Sequence, residues 1–471
     1  MAPAVNGNAT AVPEVAWPRL RLMLVGLGIS VVPLDTAVNI AFPDITRSFG
    51  LPIPMIQWVV ICYVLTHAGL MLAFGRVGDM WSHGRVFRAG LLWSVVACLL
   101  CAAAPSFGWL LFFRFLQGIG AGLIISCAPA LVTSLYPEER RSHALGIFTL
   151  MFALGSAVGP LIGGALVARW GWPGVFWFRA PIALTALLFL RGLPVRSSAG
   201  PDRHFDIVGA VLLAIGLTSL LLAFNTLPRL KDGDYLALLL LPVAAASLIA
   251  FVCWEARAAQ PIVRIELFRN APFALINLGW SLINLVAFSV MLIGPYFLVP
   301  NLGLLKASLV LASGFITMAV ASPAAGTVVA RLGPRWMAPC GALLTGVGLF
   351  SVGSWQPDTS IDLMLLSLGL HGVGMGFFQV AYMELVMAAL PLAQRGVAGS
   401  LSMLTRTIGT VTGAAVLMLG FQAIADAARA GGAGEEQAFL DAFHAMFRIA
   451  GITAALIGVL VAWSARRRAF P

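Results

Sequence analysis

A single arginine, Arg114, lies inside an apolar run that extends from Trp109 to Pro129. A guanidinium in the hydrocarbon core of a bilayer costs roughly 3 kcal/mol or more, so it has to face protein or water. This cost indicates that Arg114 has a task, because a buried guanidinium can pair with a carboxylate or bind an anionic ligand. The elements that must position Arg114 are the apolar spans of the chain.

The composition predicts a helical integral membrane protein. Of the 471 residues, 60% are hydrophobic and 10% are charged, and no soluble domain could cover so much apolar surface. The net charge of +10 does not indicate nucleic-acid binding, because the basic residues lie in short loops between apolar runs. Neither lysine lies in a GxxxxGK[ST] phosphate loop, which argues against an ATP-driven pump. The scattered histidines and cysteines lack the spacing of a metal or nucleophilic site, so we expect no cofactor, no metal and no enzyme activity.

The distribution of basic residues predicts the topology. We count about fourteen spans of about 20 residues, the length that a bilayer requires. Nineteen of the 29 basic residues lie in loops on the side of the N-terminus, against six on the opposite side. We therefore expect both termini in the cytoplasm, with residues 1–17 polar and disordered. Arginine greatly outnumbers lysine, which favours a bacterial inner membrane. The predicted span centres are residues 30, 65, 96, 118, 155, 182, 217, 244, 285, 317, 345, 373, 410 and 454.

The chain repeats itself after about half its length. A run of three glycines recurs at an offset of 254 residues, but Leu368 replaces Arg114 in the second copy. We expect two pseudo-symmetric six-helix bundles, residues 18–192 and 270–468, with two inserted helices at 206–254. Repeats of this kind are one transporter architecture, in which the substrate site lies between the halves near the bilayer midplane. The glycines are Gly118, Gly120 and Gly122 in the first copy and Gly372, Gly374 and Gly376 in the second.

The loop after the second span combines glycines with charges. Asp79 follows Gly75 and Gly78, and Arg85 and Arg88 come one to two helical turns later. A carboxylate at a helix boundary can pair with such arginines or cap the next helix. We interpret the cluster as a cytoplasmic latch that breaks when the halves rock; an ordinary polar loop is the alternative.

Four motifs together resemble the major facilitator superfamily. Residues 75–85 resemble its loop signature and residues 114–120 its fourth-helix motif. Residues 155–164 resemble the fifth-helix motif associated with antiporters, and residues 34–39 are similar to the first-helix signature of the fourteen-helix drug/proton antiporter branch. The resemblance covers nearly the whole chain. The antiporter motif comprises Gly155, Gly159, Pro160, Gly163 and Gly164.

The antiporter motif combines a proline with close-packing glycines. Gly159-Pro160 should bend the fifth span, since proline removes a backbone hydrogen bond, and the other glycines permit a close helix contact. The family resemblance implies a seal that limits leak; tight packing alone is the alternative reading.

The resemblance assigns proton coupling to Asp35 and Arg114. Asp35 lies about eight residues before the outer end of the first span, and Arg114 about eight residues after the outer start of the fourth. Both therefore lie roughly 12 Å below the outer surface and can meet. Desolvation and the neighbouring charge act in opposite directions on the proton affinity of such a carboxylate. Opening to either side changes its hydration and partner distance, so it can take up a proton outside and release it inside. A static ion pair is the alternative.

A second ion pair is expected in the other half. Glu384 lies about six residues before the inner end of the twelfth span, and Arg406 about nine residues after the inner start of the thirteenth. Their depths, roughly 9 and 13 Å from the cytoplasmic face, allow a pair with a structural or gating role; a second proton site is the alternative. His67 and His371, near mid-span, could titrate or simply form hydrogen bonds.

Polar and aromatic residues near these charges are candidates for binding the substrate. Asn39 and Gln117 lie close to the first pair, and Asn277 and Asn284, seven residues apart, share one face of the ninth span. Each could instead bond or pack against a neighbouring helix. The complete set of expected substrate-binding residues is Asn39, Trp58, Gln117, Asn277, Asn284, His371 and Phe378.

The resemblance implies a secondary exporter that works by alternating access. Protons run in and a hydrophobic or amphipathic small molecule runs out, with the protein acting as a monomer in the lipid bilayer. One alternative is a uniporter or importer of a metabolite on the same fold, in which Asp35 binds substrate and carries no proton. Another is a non-transporting membrane sensor. Neutral lipophiles, monocations and anionic metabolites all stay open as substrates.

Overall fold

The computed structural model describes residues 18–134, 141–190, 206–226, 235–258, 265–389 and 396–467. Within these ranges the secondary structure is helical, without a strand. The expectation of disorder at residues 1–17 lies outside the described residues.

Nine α-helices lie in the described residues up to position 190. Four of them, α4 to α7, have 20 to 30 residues, and the other five are shorter. Their bounds are α1 Pro18–Ser30, α2 Ala37–Ile40, α3 Phe42–Phe49, α4 Gln57–Trp81, α5 His83–Ala102, α6 Phe107–Ser134, α7 Arg141–Trp170, α8 Gly174–Trp177 and α9 Arg179–Phe189.

Eight helices of 19 or more residues follow in the described residues from 206 to 467. The first two, α10 and α11, pack against each other, and α10 also contacts α4 and a helix of the last group, α16. The bounds are α10 Ile207–Thr226, α11 Leu236–Glu255, α12 Ala271–Leu292, α13 Gly294–Leu332, α14 Pro334–Val352, α15 Ile361–Ala389, α16 Gly396–Ala430 and α17 Glu435–Arg467.

Each of the fourteen predicted span centres falls on one of these helices. By length and composition, nine stretches of the described residues could cross a membrane, or ten if the bent pair of α3 and α4 forms one span. One stretch, 271–329, contains parts of both α12 and α13, and the apolar parts of α9 and α10 are short. The chain is therefore a multi-pass membrane protein, while fourteen crossings stay a prediction.

The helices pack into two groups. In the first, α4, α5 and α6 pack together and α7 packs against α1 and α2; in the second, α12 packs on α16, and α15 on α13 and α14. The pairs α7–α13 and α4–α16 join the groups. The domain bounds expected from the sequence remain a prediction.

The first span is interrupted at the segment that contains Asp35. The helix α1 ends at Ser30, and a 3-10 helix, Pro33–Thr36, precedes α2. Pro33 explains the break, because its ring has no N–H and cannot continue an α-helix. In the 3-10 turn the backbone N–H of Asp35 donates to the carbonyl of Val32 at 3.0 Å. The break thus turns the carboxylate of Asp35 out of a regular helical register.

Candidate functional site

A cavity of about 240 Å³ lies where the two helix groups face each other. The 3-10 turn, α4 and α7 line one side, and α12, α13, α15 and α16 line the other. Among the described lining residues the charged ones are Asp35 and Arg406, and the imidazoles are His67 and His371. The cavity thus joins chemistry from both halves of the chain.

Asp35 and Arg114 form a bidentate ion pair at the cavity wall. Arg114 donates from Nη1 to Oδ1 of Asp35 at 2.6 Å and from Nη2 to Oδ2 at 2.8 Å. The Arg114 side chain is 1% exposed, whereas that of Asp35 keeps 15% exposure. The structure therefore brings together the two residues that the depth estimate paired, and leaves part of the carboxylate accessible from the cavity.

A second arginine, Arg179, completes the cluster. It begins α9, is 1% exposed, and donates from Nη1 to Oδ1 of Asp35 at 2.6 Å. Its Nε and Nη2 atoms are buried and have no hydrogen-bond partner among the described residues. One carboxylate thus pairs with two guanidiniums, so the cluster carries a net charge of +1.

Arg179 was not among the site residues expected from the sequence. Arg179 could have been recognised in the same way as Arg114, as a charged residue flanked by apolar residues. Arg179 directly follows Trp177 and Phe178 and precedes an apolar run, and a charge there must face the protein interior.

Arg114 is held in place by three further contacts. Its Nε donates to the carbonyl of Val59 at 2.8 Å, and its Nη1 to Oε1 of Gln117 at 2.7 Å. The guanidinium also lies 4.2 Å from the centre of the Tyr63 ring, within the range of a cation–π contact. Gln117, expected to bind substrate, instead orients Arg114, and its amide Nε2 approaches Sγ of Cys98 at 3.4 Å.

The other expected substrate residues divide into two groups. Asn39, Asn284 and His371 line the cavity, so they stay candidates. Trp58, Asn277 and Phe378 are not among its lining residues. Asn277 is occupied by Tyr382, which donates to Asn277 Oδ1 at 2.9 Å. Phe378 stacks behind the cavity aromatic Trp280, with ring centres 6.0 Å apart. Trp280 was not expected from the sequence, because most aromatic residues in apolar spans only pack against neighbouring helices.

The antiporter motif on α7 packs against the segment that carries Asp35. A Cβ placed on Gly159 would overlap the hydroxyl of Thr36, and one on Gly155 would lie 2.7 Å from Cγ of Pro33. The Thr36 hydroxyl donates to the carbonyl of Ser156 at 3.0 Å. Small residues let helices approach this closely, so α7 fixes the position of the 3-10 turn.

Two other motif glycines contact different partners. A Cβ on Gly163 would meet the backbone of Ala37 in α2, and one on Gly164 would overlap Ser308 in α13. The helix α7 therefore connects the Asp35 segment with the second helix group. It continues through Pro160 as one helix, and the predicted bend stays a prediction.

The loop signature is partly described. The surroundings of Gly75 and the side chain of Asp79 lie outside what the structure describes. The N-cap of α5 is Ser82, whose side chain accepts a hydrogen bond from the backbone N–H of Arg85 at 3.3 Å. Ser82 has φ +102°, a conformation that favours glycine. The latch role stays a prediction. The structure describes three other residues of the cluster. The side chain of Arg85 is exposed, and Gly78 packs against His83. Arg88 donates from Nε to the carbonyl of Gly84.

The expected pair of Glu384 and Arg406 is wrong. Glu384 is exposed on α15, whereas Arg406 on α16 lines the cavity, and the ion pairs of the described residues do not include this one. Depth along a helix does not fix rotation about its axis. Leu366, which precedes Glu384 by 18 residues or five helical turns, is 58% exposed. Both side chains thus project from the outer face of α15.

Comparisons with known proteins agree with this architecture. The family model of the Major Facilitator Superfamily matches residues 23–305 and 280–471. The multidrug resistance protein Stp of Mycobacterium tuberculosis is 30% identical over 403 residues, which cover 84% of this chain and 75% of that protein. The tetracenomycin C resistance and export protein of Streptomyces glaucescens is 29% identical over 412 residues, covering 85% of this chain and 75% of that protein.

A solved structure shares the fold. The crystal structure of the peptide transporter POT in complex with sulfate matches with a TM-score of 0.72 at 15% identity, covering 97% of each chain. At this identity the likeness concerns the fold alone. Taken with the family match along both halves, it means that the chain belongs to the major facilitator superfamily and is a membrane transporter, not an enzyme.

Proposed function

We propose that this protein exports hydrophobic or amphipathic small molecules in exchange for protons, by alternating access. The observation that carries the proposal is the Asp35 carboxylate at the cavity wall, held by Arg114 and Arg179 and still 15% exposed. Relatives named for multidrug resistance and for antibiotic resistance and export support the choice of cargo and direction.

The cluster can couple proton binding to a conformational change because two arginines hydrogen-bond the one carboxylate that would take the proton. Arg114 and Arg179 both donate hydrogen bonds to the ionised carboxylate of Asp35. A proton that binds an oxygen of this carboxylate has to take the place of one of those charge-assisted hydrogen bonds. A proton binds Asp35 readily only in a conformation in which Arg114 or Arg179 has moved away or water has entered.

The packing of α7 supplies a route for such a movement. Gly164 touches Ser308 in the second helix group, while Gly159 touches Thr36 next to Asp35. Tyr296 of α13 also donates to the carbonyl of Phe42 at 3.5 Å, joining the groups where α2 leads into α3. Opening the molecule there must separate α13 from α7, which shifts the Asp35 segment relative to Arg114 on α6.

The arginine distribution supports the orientation of this exchange. Both termini then face the cytoplasm of a bacterial inner membrane, and the protein works as a monomer with its cavity between the halves. A C-terminal alkaline phosphatase fusion should be inactive in this orientation, and an active fusion would reverse it.

The decisive experiment records proton flux in proteoliposomes against a panel of hydrophobic and amphipathic compounds. Wild-type protein should move protons when a substrate gradient is applied. Asp35→Asn should abolish substrate-driven proton flux while substrate exchange between the two sides persists. The matched control is Asp44→Asn, since Asp44 accepts from the backbone N–H of Trp172 at 2.8 Å and does not line the cavity.

The same experiment separates coupled export from uniport. Coupled proton flux in Asp35→Asn at the wild-type rate would sink the proposal. A wild type that moves substrate without any proton flux would favour a uniporter, in which Asp35 binds substrate and carries no proton.

A further inference from the structure

Arg406 is a cation in the cavity that the proton-coupling cluster does not use. It lies on α16, in the second helix group, and is partly exposed at the cavity wall. Its guanidinium lies 5.9 Å from the ring centre of Phe152, a residue of α7 in the first group. Arg406 therefore reaches across the space between the halves, where a transported molecule must pass.

The guanidinium of Arg406 has no counter-ion in the described part of the chain. The ion pairs there involve Asp35, Asp426 and Glu435, and none includes Arg406. The guanidinium also forms no hydrogen bond with a described residue. The hydroxyl of Thr410 does donate to Arg406, but to its backbone carbonyl. An unpaired cation within a membrane protein is costly and marks a function.

The charge balance of the site favours an anionic occupant. Asp35 is the carboxylate of the cavity wall, and Arg114 and Arg179 already occupy both of its oxygens. Asp35 and Arg406 line the cavity, and Arg114 and Arg179 lie behind Asp35, each 1% exposed. These three guanidiniums and one carboxylate of the described residues together carry a net charge of +2. An organic cation would have to compete with two bound arginines for Asp35, whereas an organic anion finds a free arginine.

The remainder of the wall fits an amphipathic molecule. Phe288 is partly exposed and offers apolar aromatic surface to the cavity. Trp280 also lines the cavity but is 1% exposed, and it is stacked on Tyr382 with ring centres 5.1 Å apart. The imidazoles of His67 and His371 are more than nine-tenths buried, line the cavity, and have Nδ1 atoms without a partner among the described residues. These atoms are further hydrogen-bonding positions for the polar end of a ligand.

We propose that Arg406 binds the acidic group of the transported molecule, so that the substrates of this protein are amphipathic organic anions. The acidic group, a carboxylate, sulfonate or acidic phenolate, accepts hydrogen bonds from the Arg406 guanidinium while the apolar body lies against Phe288. The inference deepens the proposed function by naming its substrate class, and rests on it. Arg406 acts as a binding residue and is separate from the Asp35 cluster, which handles the proton.

A matched pair of fluorescent probes tests this proposal by binding alone. The probes are 8-anilinonaphthalene-1-sulfonate and its uncharged parent N-phenyl-1-naphthylamine, titrated into the full-length protein in nanodiscs of neutral lipid, with empty nanodiscs subtracted. Arg406→Gln should weaken sulfonate binding by roughly 10- to 100-fold, as expected for loss of a hydrogen bond between charged groups. Binding of the uncharged probe should change less than about twofold, because it lacks the acidic group.

Two further variants control for folding and for charge. Arg406→Lys keeps the positive charge and should retain most of the sulfonate affinity. Arg448→Gln removes an arginine that donates to the carbonyl of Gly353, away from the cavity, and should change neither probe. The inference is overturned if the wild type does not bind the sulfonate, if Arg406→Gln leaves its affinity unchanged, or if both probes weaken equally. The assay needs no proton gradient, so a failure of proton coupling would leave its result intact.

Discussion

Arg114 on α6 and Leu368 on α15 occupy the repeated position of the two halves, and both are 1% exposed. Around Arg114 the first half has built an ionic cluster with Asp35 and Arg179. Around Leu368 the second half has kept an apolar core. Equal burial at the same place in the repeat therefore supports opposite chemistry, and the partners on neighbouring helices decide which one.

Apart from Arg406, the polar contacts beside the cavity in the described part of the second half are made by uncharged groups. Trp280 donates to the carbonyl of Ser402 at 3.1 Å, and Tyr382 links α15 to Asn277 on α12. Such bonds hold helices together without a group that changes charge. We therefore propose that the proton is handled in the first half, while the second half supplies the cavity with aromatic residues and the cation of Arg406.

The largest effect is expected when the first half is made to resemble the second. Arg114→Leu leaves Asp35 with Arg179 alone, and breaking a buried ion pair costs about 3–5 kcal/mol. Substrate-driven proton flux in proteoliposomes should fall by roughly 100-fold or more. The matched control, Leu368→Met, repacks the repeated position and should keep most of the flux. If Arg114→Leu is well folded and retains half the wild-type flux, the ionic cluster is not what separates the two halves.

A smaller effect is expected from the packing that joins the cluster to α7. In Gly159→Ala the new methyl group overlaps the hydroxyl of Thr36 and must displace the turn that carries Asp35. Substrate-driven proton flux should fall by about 10-fold, since misplacement of a reacting group by about 1 Å costs up to a hundredfold in rate. Gly108→Ala is the control, because no other atom lies within 4 Å of a Cβ at that position.

A double variant shows whether the clash itself is responsible. Thr36→Ala removes the hydroxyl that the methyl group would meet, so Gly159→Ala combined with Thr36→Ala should recover part of the lost flux. If the double variant is no better than Gly159→Ala, the contact between α7 and the 3-10 turn does not transmit the movement proposed above.

Much of this arrangement could be predicted from the sequence, because membrane spans and buried charges leave strong local signals. The apolar runs predicted where the helices lie, and helical rise alone placed Asp35 and Arg114 at one depth. Rise does not report rotation, however. The same reasoning therefore failed for Glu384, which lies on the outer face of α15, and it left Arg406 without its expected partner.

Depth could pair Asp35 with Arg114, but other contacts between distant segments were out of reach of sequence reasoning. Arg179 comes 144 residues after Asp35, and no periodicity in either segment indicates that they meet. The break at Pro33 was readable as a helix interruption, yet only the packing of Gly159 against Thr36 shows what holds the interrupted segment in place. The cap of α5 by Ser82 was likewise hidden by the nearby Asp79, a residue of equal capping ability.

The smallest effect is expected from a substitution in the second half that removes a hydrogen bond but no charge. Tyr382→Phe loses the bond to Asn277 and the 3.3 Å contact with the Thr405 hydroxyl, and one buried bond contributes about 1 kcal/mol. Thermal unfolding in detergent should shift down by a few degrees, roughly 1–3 °C. Substrate-driven proton flux should stay near the wild-type rate, because the tyrosine lies behind Trp280 and touches neither Asp35 nor its arginines. A loss of flux as large as that of Arg114→Leu would show that the uncharged layer also takes part in proton coupling, and would remove the division of labour between the two halves.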